Sequence, residues 1–304
     1  MEWTIAKIQE EQTLSAHENY TIRTYTDGFP LYELREESTD SSFVVCPERG
    51  GIATSCRLHG QELFYLDRET FLNPQANIRG GNPVLFPIAG QLVNGEYEWN
   101  GTTYRMKNHG VARTAAWEVV ETGTSGSAFI TLSLCSNAET LAAYPFEFEL
   151  RFTYRLKDGI LSIEQQYRNL SDEPLPMVAG FHPYFATESK NLTYGTDATR
   201  ILDYNDMQEK PFDGYLKLEG MVESAALLDA GKPEISFPLA QGRQVRLSYS
   251  EQFRYVVLWS VEGKPFVCVE PWTALNEALN SKQGLLTVAP GETLELALNF
   301  SLEG

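Results

Sequence analysis

Apolar and polar residues alternate along most of this chain, in short segments separated by glycine-containing turns. A period of two places the apolar side chains on one face of an extended strand. The segment FEFELRFTYRLKDGILSIEQQYRNLS alternates on both sides of Asp158-Gly159, and TIRTYTDG alternates up to its turn. Further strands are predicted in SSFVVCPERGG, GIATSCRLHGQELFYL, AAWEVVETGTSGSAFITLSLCS, RQVRLSYS, RYVVLWSVEGKPFVCVEPW and ETLELALNFSLEG. The pattern therefore predicts a chain built largely of β-strands.

Two dipeptides predict tight hairpins between neighbouring strands. In NGEYEWNGTTYRM, residues 97–99 and 103–105 flank Asn100-Gly101, and Asp158-Gly159 separates the two longest alternating runs. These pairs favour two-residue hairpin turns because both turn positions need a positive φ, which Asn, Asp and Gly tolerate. We therefore expect an antiparallel hairpin at each site.

Helical signals are weak by comparison. The best candidates are short, at residues 142–144 before Pro145 and at residues 273–281, and no segment keeps an apolar period of 3.6 residues over four turns. No repeat, low-complexity tract or Pro/Ser-rich linker interrupts the chain. Many strands at a spacing of roughly 8–12 residues are typical of a large sandwich. The sequence thus predicts an all-β fold in one domain over residues 1–304.

Charge and cysteine usage narrow the possible partners and the compartment. The chain carries 41 acidic and 24 basic residues, for a net charge of −17, and such a surface repels nucleic-acid backbones and anionic lipid. No run of about 18 apolar residues predicts a membrane span, and no signal peptide is recognisable at the N-terminus. We expect a cytoplasmic protein whose cysteines are reduced core residues. They are Cys46, Cys56, Cys135 and Cys268.

Common cofactor and metal motifs are absent from the sequence. There is no GxxxxGK[ST], no GxGxxG after a strand, no HExxH, no GxSxG and no CxxC pair. We therefore expect neither a cofactor nor a metal, and we expect any chemistry to use side chains brought together from distant strands.

Two of the four histidines lie in unusual surroundings. His109 lies in KNHGVAR, where a charged segment meets a glycine, and His182 lies among aromatic residues in GFHPYF. Pro183 restricts the backbone of His182 to extended conformations. His17 and His59 are interpreted as ordinary surface or loop residues.

A glutamate and an arginine complete the candidates. Glu270 ends the apolar run 266–269, and a carboxylate there either faces a cleft or is buried at a cost of several kcal/mol unless it is paired. Arg79 directly precedes Gly80-Gly81, where the backbone can turn sharply and carry the guanidinium into a cleft.

Four motifs in this order, NIRGGNPVLFPIAGQL, NHGVAR, GFHPYF and FVCVEPW, resemble the aldose 1-epimerase family, and PERGGIATSCRLHGQELFYLD resembles the family's opening. The resemblance covers nearly the whole chain and is nearest to the bacterial branch of galactose mutarotase-like proteins. It implies a galactose mutarotase-like β-supersandwich. It also implies an isomerase that interconverts the α and β anomers of an aldohexose, with the sugar as its small-molecule partner.

The resemblance also implies a role for each candidate. It makes His182 the general acid and Glu270 the general base, with Arg79 and His109 binding and orienting the sugar. Anomerisation opens a hemiacetal ring, so a base takes the proton of the C1 hydroxyl while an acid protonates the ring oxygen. Glutamate and histidine have pKa values that let each hold the required proton state.

Three further residues are predicted to bind the substrate. Arg113 follows His109 in HGVAR, a pattern that resembles a related branch acting on hexose 6-phosphates, and a guanidinium suits phosphate because it donates two parallel hydrogen bonds. Trp272 offers an aromatic face to a pyranose, and Tyr184 lines the site. The alternative for Arg113 is a structural or solvated role, and for the two aromatic residues it is core packing.

The identity of the substrate stays open at this point. Sugar mutarotases of the better-known branch hold sugar hydroxyls with an aspartate between the acid and the base, and no aspartate of this interval lies in a matching segment. These aspartates are Asp197, Asp203, Asp206, Asp213 and Asp229. Three hypotheses remain: an epimerase of a free aldose, a hexose-6-phosphate 1-epimerase in which Arg79 and Arg113 grip the phosphate, and a non-catalytic carbohydrate-binding protein. A monomer or a homodimer is expected in each case.

Overall fold

Strands dominate the structure, a computed structural model that describes residues 9–17, 19–239 and 242–304. The first strands are β1 (Gln9–His17), β2 (Tyr20–Asp27), β3 (Phe29–Glu36), β4 (Ser41–Cys46), β5 (Ile52–Leu58), β6 (Gln61–Glu62), β7 (Val84–Leu85), β8 (Glu96–Trp99) and β9 (Thr102–Arg105). They are followed by β10 (Glu118–Gly123), β11 (Ala128–Cys135), β12 (Phe148–Lys157), β13 (Ile160–Asn169), β14 (Leu175–Met177), β15 (Gly180–Phe181), β16 (Tyr184–Ala186), β17 (Asn191–Thr193) and β18 (Arg200–Asp203). The last are β19 (Gln208–Pro211), β20 (Tyr215–Lys217), β21 (Ala225–Leu227), β22 (Glu234–Pro238), β23 (Gln244–Tyr249), β24 (Tyr255–Trp259), β25 (Phe266–Trp272), β26 (Leu286–Val288) and β27 (Thr293–Glu303).

Three large sheets organise these strands. Strands β1 to β6 form a six-stranded sheet in chain order, and a seven-stranded sheet has the order β10-β11-β12-β13-β27-β23-β22. An eight-stranded sheet has the order β19-β18-β21-β24-β25-β15-β7, with β16 also paired to β25. Three two-stranded pairs, β8-β9, β14-β26 and β17-β20, complete the set. The prediction of an all-β protein is confirmed.

Both predicted hairpins are present. Strands β8 and β9 pair antiparallel around Asn100-Gly101, whose φ angles are 48° and 78°. Strands β12 and β13 pair over ten residues each and turn at Asp158-Gly159, with φ angles of 53° and 71°. Positive φ at both positions is the geometry for which these dipeptides are suited.

The three helices are short, as expected, but their bounds differ from the predictions. They are α1 (Arg68–Leu72), α2 (Ala138–Ala143) and α3 (Ala278–Ser281). The candidate at 142–144 is only the end of α2, which begins earlier because the Asn137 side chain accepts hydrogen bonds from two backbone N–H groups of the first turn. In the candidate at 273–281 only the last four residues are helical, because Thr273 continues the extended chain and exchanges hydrogen bonds with Ala179. No helix within the described ranges is long and apolar enough to cross a membrane.

The inner face of the seven-stranded sheet packs against both other large sheets. Tyr154 of β12 stacks on Phe43 of β4 with ring centroids 5.1 Å apart, and Phe152 meets Phe181 of β15 at 6.0 Å. Burying each phenylalanine completely, as here, contributes roughly 1.5–3 kcal/mol. This packing fixes β15 and its neighbour β25 against a rigid core.

The four cysteines are free, and three of them are buried as predicted. The exception is Cys135, the last residue of β11, which is exposed. His59 is exposed in the turn between β5 and β6, and His17 is exposed at the end of β1, in agreement with their interpretation as ordinary residues.

Candidate active site

A cleft of about 260 Å³ lies over β24 and β25. It is lined by Gly90, Gln91, Asn108, His109, His182, Val222, Glu223, Ser224, Val257, Trp259, Glu270, Trp272 and Asn276. The fold therefore brings four of the seven predicted site residues, His109, His182, Glu270 and Trp272, to one surface. The cleft lies where three segments far apart in the sequence meet the eight-stranded sheet.

Strand register explains how His182 comes to face Glu270. On one side of β25, Gly180 pairs with Trp272 and Tyr184 pairs with Cys268. The same antiparallel register places His182, between these two pairs, directly opposite Glu270. Residues opposite each other in such a ladder have Cβ atoms only about 4.5–5.5 Å apart. The motif GFHPYF thus sets the histidine beside the glutamate through its pairing with FVCVEPW.

The pair is buried, and the two side chains only partly satisfy each other. His182 is 6% exposed and Glu270 is 2% exposed, and His182 Nε2 lies 3.5 Å from Glu270 Oε1. A charge-assisted hydrogen bond of full strength would measure about 2.7–2.9 Å. Within the described part of the chain, His182 Nδ1 and Glu270 Oε2 have no hydrogen-bond partner. Hydrogen-bonding capacity is therefore left at the floor of the cleft.

Aromatic rings fix the orientation of the His182 imidazole. Tyr184 stacks on it with a centroid distance of 4.6 Å and an interplanar angle of 10°, while Trp259 and His109 contact it edge-on at 5.8 and 5.2 Å. Tyr184 is buried behind His182 and is not among the residues that line the cleft. Its position therefore suits support of the imidazole more directly than contact with a ligand.

His109 is held in one tautomer by the backbone. Its Nδ1 faces the carbonyl of Ala89, which can only accept, so Nδ1 carries the proton and Nε2 is left as an acceptor. Burial, reinforced by the charge of Arg113, lowers the pKa of His109 to about 4. The next residue, Gly110, has a φ of 81°, and a Cβ there would lie 2.1 Å from the Phe86 carbonyl oxygen. The local backbone therefore requires a glycine directly after His109.

Burial dominates the electrostatics of His182 and Glu270. It lowers the pKa of His182 well below its usual value, with His109 and Arg113 acting in the same direction. It raises the pKa of Glu270 well above its usual value, opposed by the Trp272 N–H group and the charge of Arg113. Each group is thus driven towards its neutral form. Between the lowered pKa of His182 and the raised pKa of Glu270, the pair together holds one titratable proton and has no net charge.

The two predicted arginines flank the cleft without lining it. The Arg79 guanidinium lies over the Trp259 ring, 5.5 Å from its centroid. Arg113 donates a hydrogen bond to the side chain of Asn77 and lines a neighbouring cleft of about 370 Å³ together with Arg49 and Lys107. Asn108 lines both clefts. Positive charge therefore adjoins the pair of His182 and Glu270 on one side.

One glutamate, Glu223, lines the cleft in addition to Glu270. The five aspartates between His182 and Glu270 do not line the cleft; Asp229, for example, accepts hydrogen bonds from Thr199 and Arg200 at the far end of the sheet. Glu223 lines the cleft instead, and its backbone N–H and carbonyl are both hydrogen-bonded to the Asn205 side chain. The segment 218–224, between β20 and β21, thus contributes an acidic residue that was not predicted from the sequence.

Other residues that sequence reasoning missed belong to the cleft as well. Trp259 of β24 pairs with Cys268, two residues before Glu270, so the period of two in RYVVLWSVE could have placed it on the same face. Asn276 accepts a hydrogen bond from the Gln91 backbone. A Cβ at Gly90 would lie 1.7 Å from Asn276 Oδ1. No sequence signal identifies Asn276 or Gln91, because their proximity depends on the folded connections.

Comparison with known proteins identifies the family. A sequence profile described as aldose 1-epimerase matches residues 30–301. The chain is 36% identical to the Slr1438 protein from Synechocystis sp. PCC 6803, with a TM-score of 0.87 over 90% of this chain and 95% of that one. It is 28% identical to the chromosomal LacX protein of Lactococcus lactis, over 83% of this chain and 91% of that protein.

A third relative bears on the fold. The galactose mutarotase related enzyme from Lactobacillus acidophilus is 25% identical, with a TM-score of 0.71 over 87% of this chain and 95% of that one. The galactose mutarotase-like β-supersandwich predicted from sequence is therefore confirmed.

Proposed function

The chain belongs to the aldose 1-epimerase family, and from this premise we propose that it is an aldose 1-epimerase that interconverts the α and β anomers of an aldohexose. The observation that carries the proposal is the buried pair of His182 and Glu270, 3.5 Å apart, at the floor of an accessible cleft. One acid and one base in mutual reach are the groups that opening and closing a hemiacetal ring requires.

In the proposed reaction, Glu270 takes the proton of the C1 hydroxyl while His182 protonates the ring oxygen. The C1–O5 bond breaks, and the sugar becomes an open-chain aldehyde. Rotation about the C1–C2 bond presents the other face of the carbonyl. His182 then takes back the proton from O5, and Glu270 returns its proton to the carbonyl oxygen. No covalent intermediate forms, and both groups end in their starting states.

Burial favours the open-chain state of the proposed reaction. In the open-chain state Glu270 carries a proton and His182 is neutral, which is the protonation that desolvation favours for both groups. In the ring-closed state the pair is a carboxylate and an imidazolium, which water would stabilise and the cleft floor does not. The site thus lowers the energy of the intermediate relative to the closed sugar. The neighbouring Arg113 opposes this effect on Glu270 and keeps the carboxylate accessible.

Several groups are placed to hold the pyranose. The Nε2 of His109 accepts a hydrogen bond, as its Nδ1 proton is already donated to Ala89. The Trp272 ring lies on the cleft surface, and the Gly180 backbone permits this position because any Cβ there would lie 3.0 Å from the indole. We assign Glu223 the acceptor role for sugar hydroxyls that the unmatched aspartate would otherwise fill.

A hexose 6-phosphate is the second candidate substrate. The observation in its favour is the adjoining cleft lined by Arg49, Lys107 and Arg113, which shares Asn108 with the acid–base cleft. Three cations and one acidic residue, Glu139, line this concave surface in a chain with a net charge of −17, and guanidinium groups bind phosphate in bidentate fashion.

Polarimetry separates the proposed activity from a binding function. Freshly dissolved α-glucose, α-galactose and glucose 6-phosphate are followed with the wild-type protein. We expect the approach to anomeric equilibrium to exceed the spontaneous rate for at least one sugar. A rate equal to the spontaneous one for all three, together with measurable sugar binding by calorimetry, supports the non-catalytic alternative.

The substrate class is tested with Arg113→Lys, which keeps the charge but loses the bidentate geometry. If glucose 6-phosphate is the substrate, KM for this sugar rises about tenfold while KM for glucose is unchanged. Arg151→Lys, on the outer face of the seven-stranded sheet, is the matched control and leaves both KM values unchanged.

We further propose a cytoplasmic location, a single domain, and a monomer or homodimer without nucleic-acid or membrane partners. Four free cysteines and the acidic surface support this setting. Light scattering coupled to size-exclusion chromatography measures the oligomeric state directly.

A further inference from the structure

A third side chain with a strong metal-ligand atom lies at the acid–base pair. Cys268 is two residues before Glu270 on β25, so both side chains point to the same face of the strand. The thiol sulfur, one nitrogen of His182 and one carboxylate oxygen of Glu270 all lie within 4.8 Å of one another. All three residues are buried, and Cys268 is fully enclosed and does not line the cleft. The acid–base chemistry proposed above makes no use of this thiol.

We propose that His182, Cys268 and Glu270 form a binding site for a thiophilic divalent cation, with Zn²⁺ as the best match, and that the bound ion inhibits the enzyme. The proposal that the ion binds depends only on the geometry of these three residues. The inhibition rests on the proposed function, because the ion occupies both the acid and the base.

The spacing of the donor atoms fits a tetrahedral ion. Zn–N and Zn–O bonds of about 2.0–2.2 Å place two ligands of a tetrahedral site about 3.4 Å apart. His182 Nε2 and Glu270 Oε1 are 3.5 Å apart. This distance is too long for a strong charge-assisted hydrogen bond and close to that of two ligands sharing one ion. A Zn–S bond of about 2.3 Å places the sulfur about 3.6 Å from the oxygen. Because the ligand atoms lie within 4.8 Å of one another, the thiol needs a movement of about 1.2 Å at most.

The charges of the ligands also fit. A thiolate, a carboxylate and a neutral imidazole carry a charge of −2, so a divalent ion makes the buried cluster neutral overall. Cysteine binds a metal as the thiolate and glutamate as the carboxylate, so binding displaces any proton that either group carries. The nearby charges of Arg79 and Arg113 favour these anionic ligands, although they also repel the cation.

The surroundings of the three ligands predict that the bound ion exchanges readily and is not held permanently. Zinc-bound histidines usually donate their other N–H to a carbonyl or carboxylate, and losing this contact costs 10–100-fold in affinity. His182 Nδ1 has no such partner among the described residues. Three protein ligands leave a fourth position towards the cleft for water or a sugar hydroxyl. The ion is therefore an inhibitor that chelators remove, not a resident cofactor.

Cobalt and zinc titrations of the full chain test the site. With Co²⁺ we expect one ion bound per chain and an absorption band from thiolate-to-cobalt charge transfer. With Zn²⁺ we expect one site by calorimetry and loss of at least nine-tenths of the epimerase activity, restored by EDTA. Absence of the charge-transfer band, or Zn²⁺ binding without a defined stoichiometry, overturns the proposal.

Two cysteine variants locate the ion. Cys268→Ser is expected to abolish the cobalt band and to weaken Zn²⁺ binding at least 50-fold while keeping epimerase activity within about twofold. Cys268→Ala has the same expected outcome. It removes the serine hydroxyl as a source of residual Zn²⁺ binding. Cys135→Ser removes the exposed thiol and keeps both the band and the inhibition. Equal Zn²⁺ affinity in wild type and Cys268→Ser contradicts the proposed site.

The two proposals fail in different ways. A cobalt band in a protein without epimerase activity leaves the metal site standing and overturns the proposed function. Epimerase activity that is indifferent to Zn²⁺, in a protein that shows no cobalt band, overturns the metal site alone.

Discussion

Two regions of the cleft, called here its floor and its roof, differ in burial and in strand pairing. The floor, formed by β25 together with His182, is buried at every residue and paired on both sides, and Glu270 is 2% exposed. The roof, the segment 218–224, connects two short strands and holds Val222 at 77% exposure. The floor bears the titratable groups whose pKa values are strongly shifted, whereas the roof supplies an open carboxylate, Glu223.

This difference assigns the two regions different tasks. Proton transfer needs groups held at fixed distances in a place from which water is largely excluded, and a paired sheet over a packed core provides this. Discrimination among sugars needs contacts that vary without disturbing the fold, and surface connections provide these. Variants of the floor are therefore expected to change kcat, and variants of the roof to change KM.

The largest effect is expected from removing either member of the pair. Glu270→Gln and His182→Gln each lower kcat by about 10²–10⁴, the usual contribution of a positioned acid or base, with KM within about threefold. Steady-state rates from polarimetry measure both constants. Glu234→Gln, in an exposed ion pair with Arg246, is the matched control and retains full activity. A large rise in KM at unchanged kcat would assign the pair to binding.

A smaller effect on kcat is expected from the ring beneath the histidine. Tyr184→Leu removes the face on which His182 stacks at 4.6 Å, and the loosened imidazole lowers kcat about tenfold. Tyr184→Phe keeps the ring and stays within about twofold of wild type. Rates at saturating sugar distinguish the two. If both variants lose activity equally, the phenol group and not the stacked ring is required, and Tyr184 contacts substrate as first predicted.

The roof is tested by Glu223→Gln, which keeps the shape but weakens the acceptor. We expect KM to rise about fivefold, or about 1 kcal/mol, which is the difference between a hydrogen bond to a charged acceptor and one to a neutral acceptor, while kcat stays within about twofold. Asp213→Asn is the control, because Asp213 accepts from the Tyr215 backbone nearby and does not line the cleft. An unchanged KM in Glu223→Gln removes the glutamate from sugar recognition.

The smallest effect on kcat/KM is expected from a change of pH within the neutral range. Burial lowers the pKa of His182 and raises that of Glu270, so the singly protonated pair persists below the usual histidine value and above the usual glutamate value. We therefore expect kcat/KM to change less than about twofold across the usual histidine pKa of about 6.5. Activity then falls towards pH 4, where His109, neutral above its pKa of about 4, gains a proton. An inflection near pH 6.5, typical of a solvated histidine, contradicts the burial argument.

The contrast between floor and roof also explains what the sequence could reveal. The long alternating strands β12 and β13 and their Asp158-Gly159 turn follow from local pattern and turn chemistry alone. Strands β17 to β22 were not predicted. They have only three to five residues each, too few for a period of two to be recognised. The roof lies among these short strands, so Glu223 carried no recognisable signal.

The candidate site was predictable only in part, for a related reason. Glu270 was a candidate because a carboxylate at the end of an apolar run either faces a cleft or needs a partner, and His182 because it lies among aromatic residues. Their roles as base and acid came from the resemblance to the family and not from either residue alone. Trp259 and Cys268 could have been found by extending the period of two from Glu270 across β24 and β25. The separation of Arg113 into a neighbouring cleft depends on how three distant segments pack, which no local pattern specifies.

The central claim is that this buried pair catalyses anomerisation, and two-dimensional exchange NMR of the anomeric protons tests it most directly. At equilibrium the spectrum reports interconversion of the α and β forms in both directions without any coupled reaction. The account predicts exchange cross-peaks for an accepted aldohexose with wild-type protein, and only the spontaneous level with folded Glu270→Gln. Equal cross-peaks with both proteins, or none above the spontaneous level with wild type on glucose, galactose or glucose 6-phosphate, would contradict it.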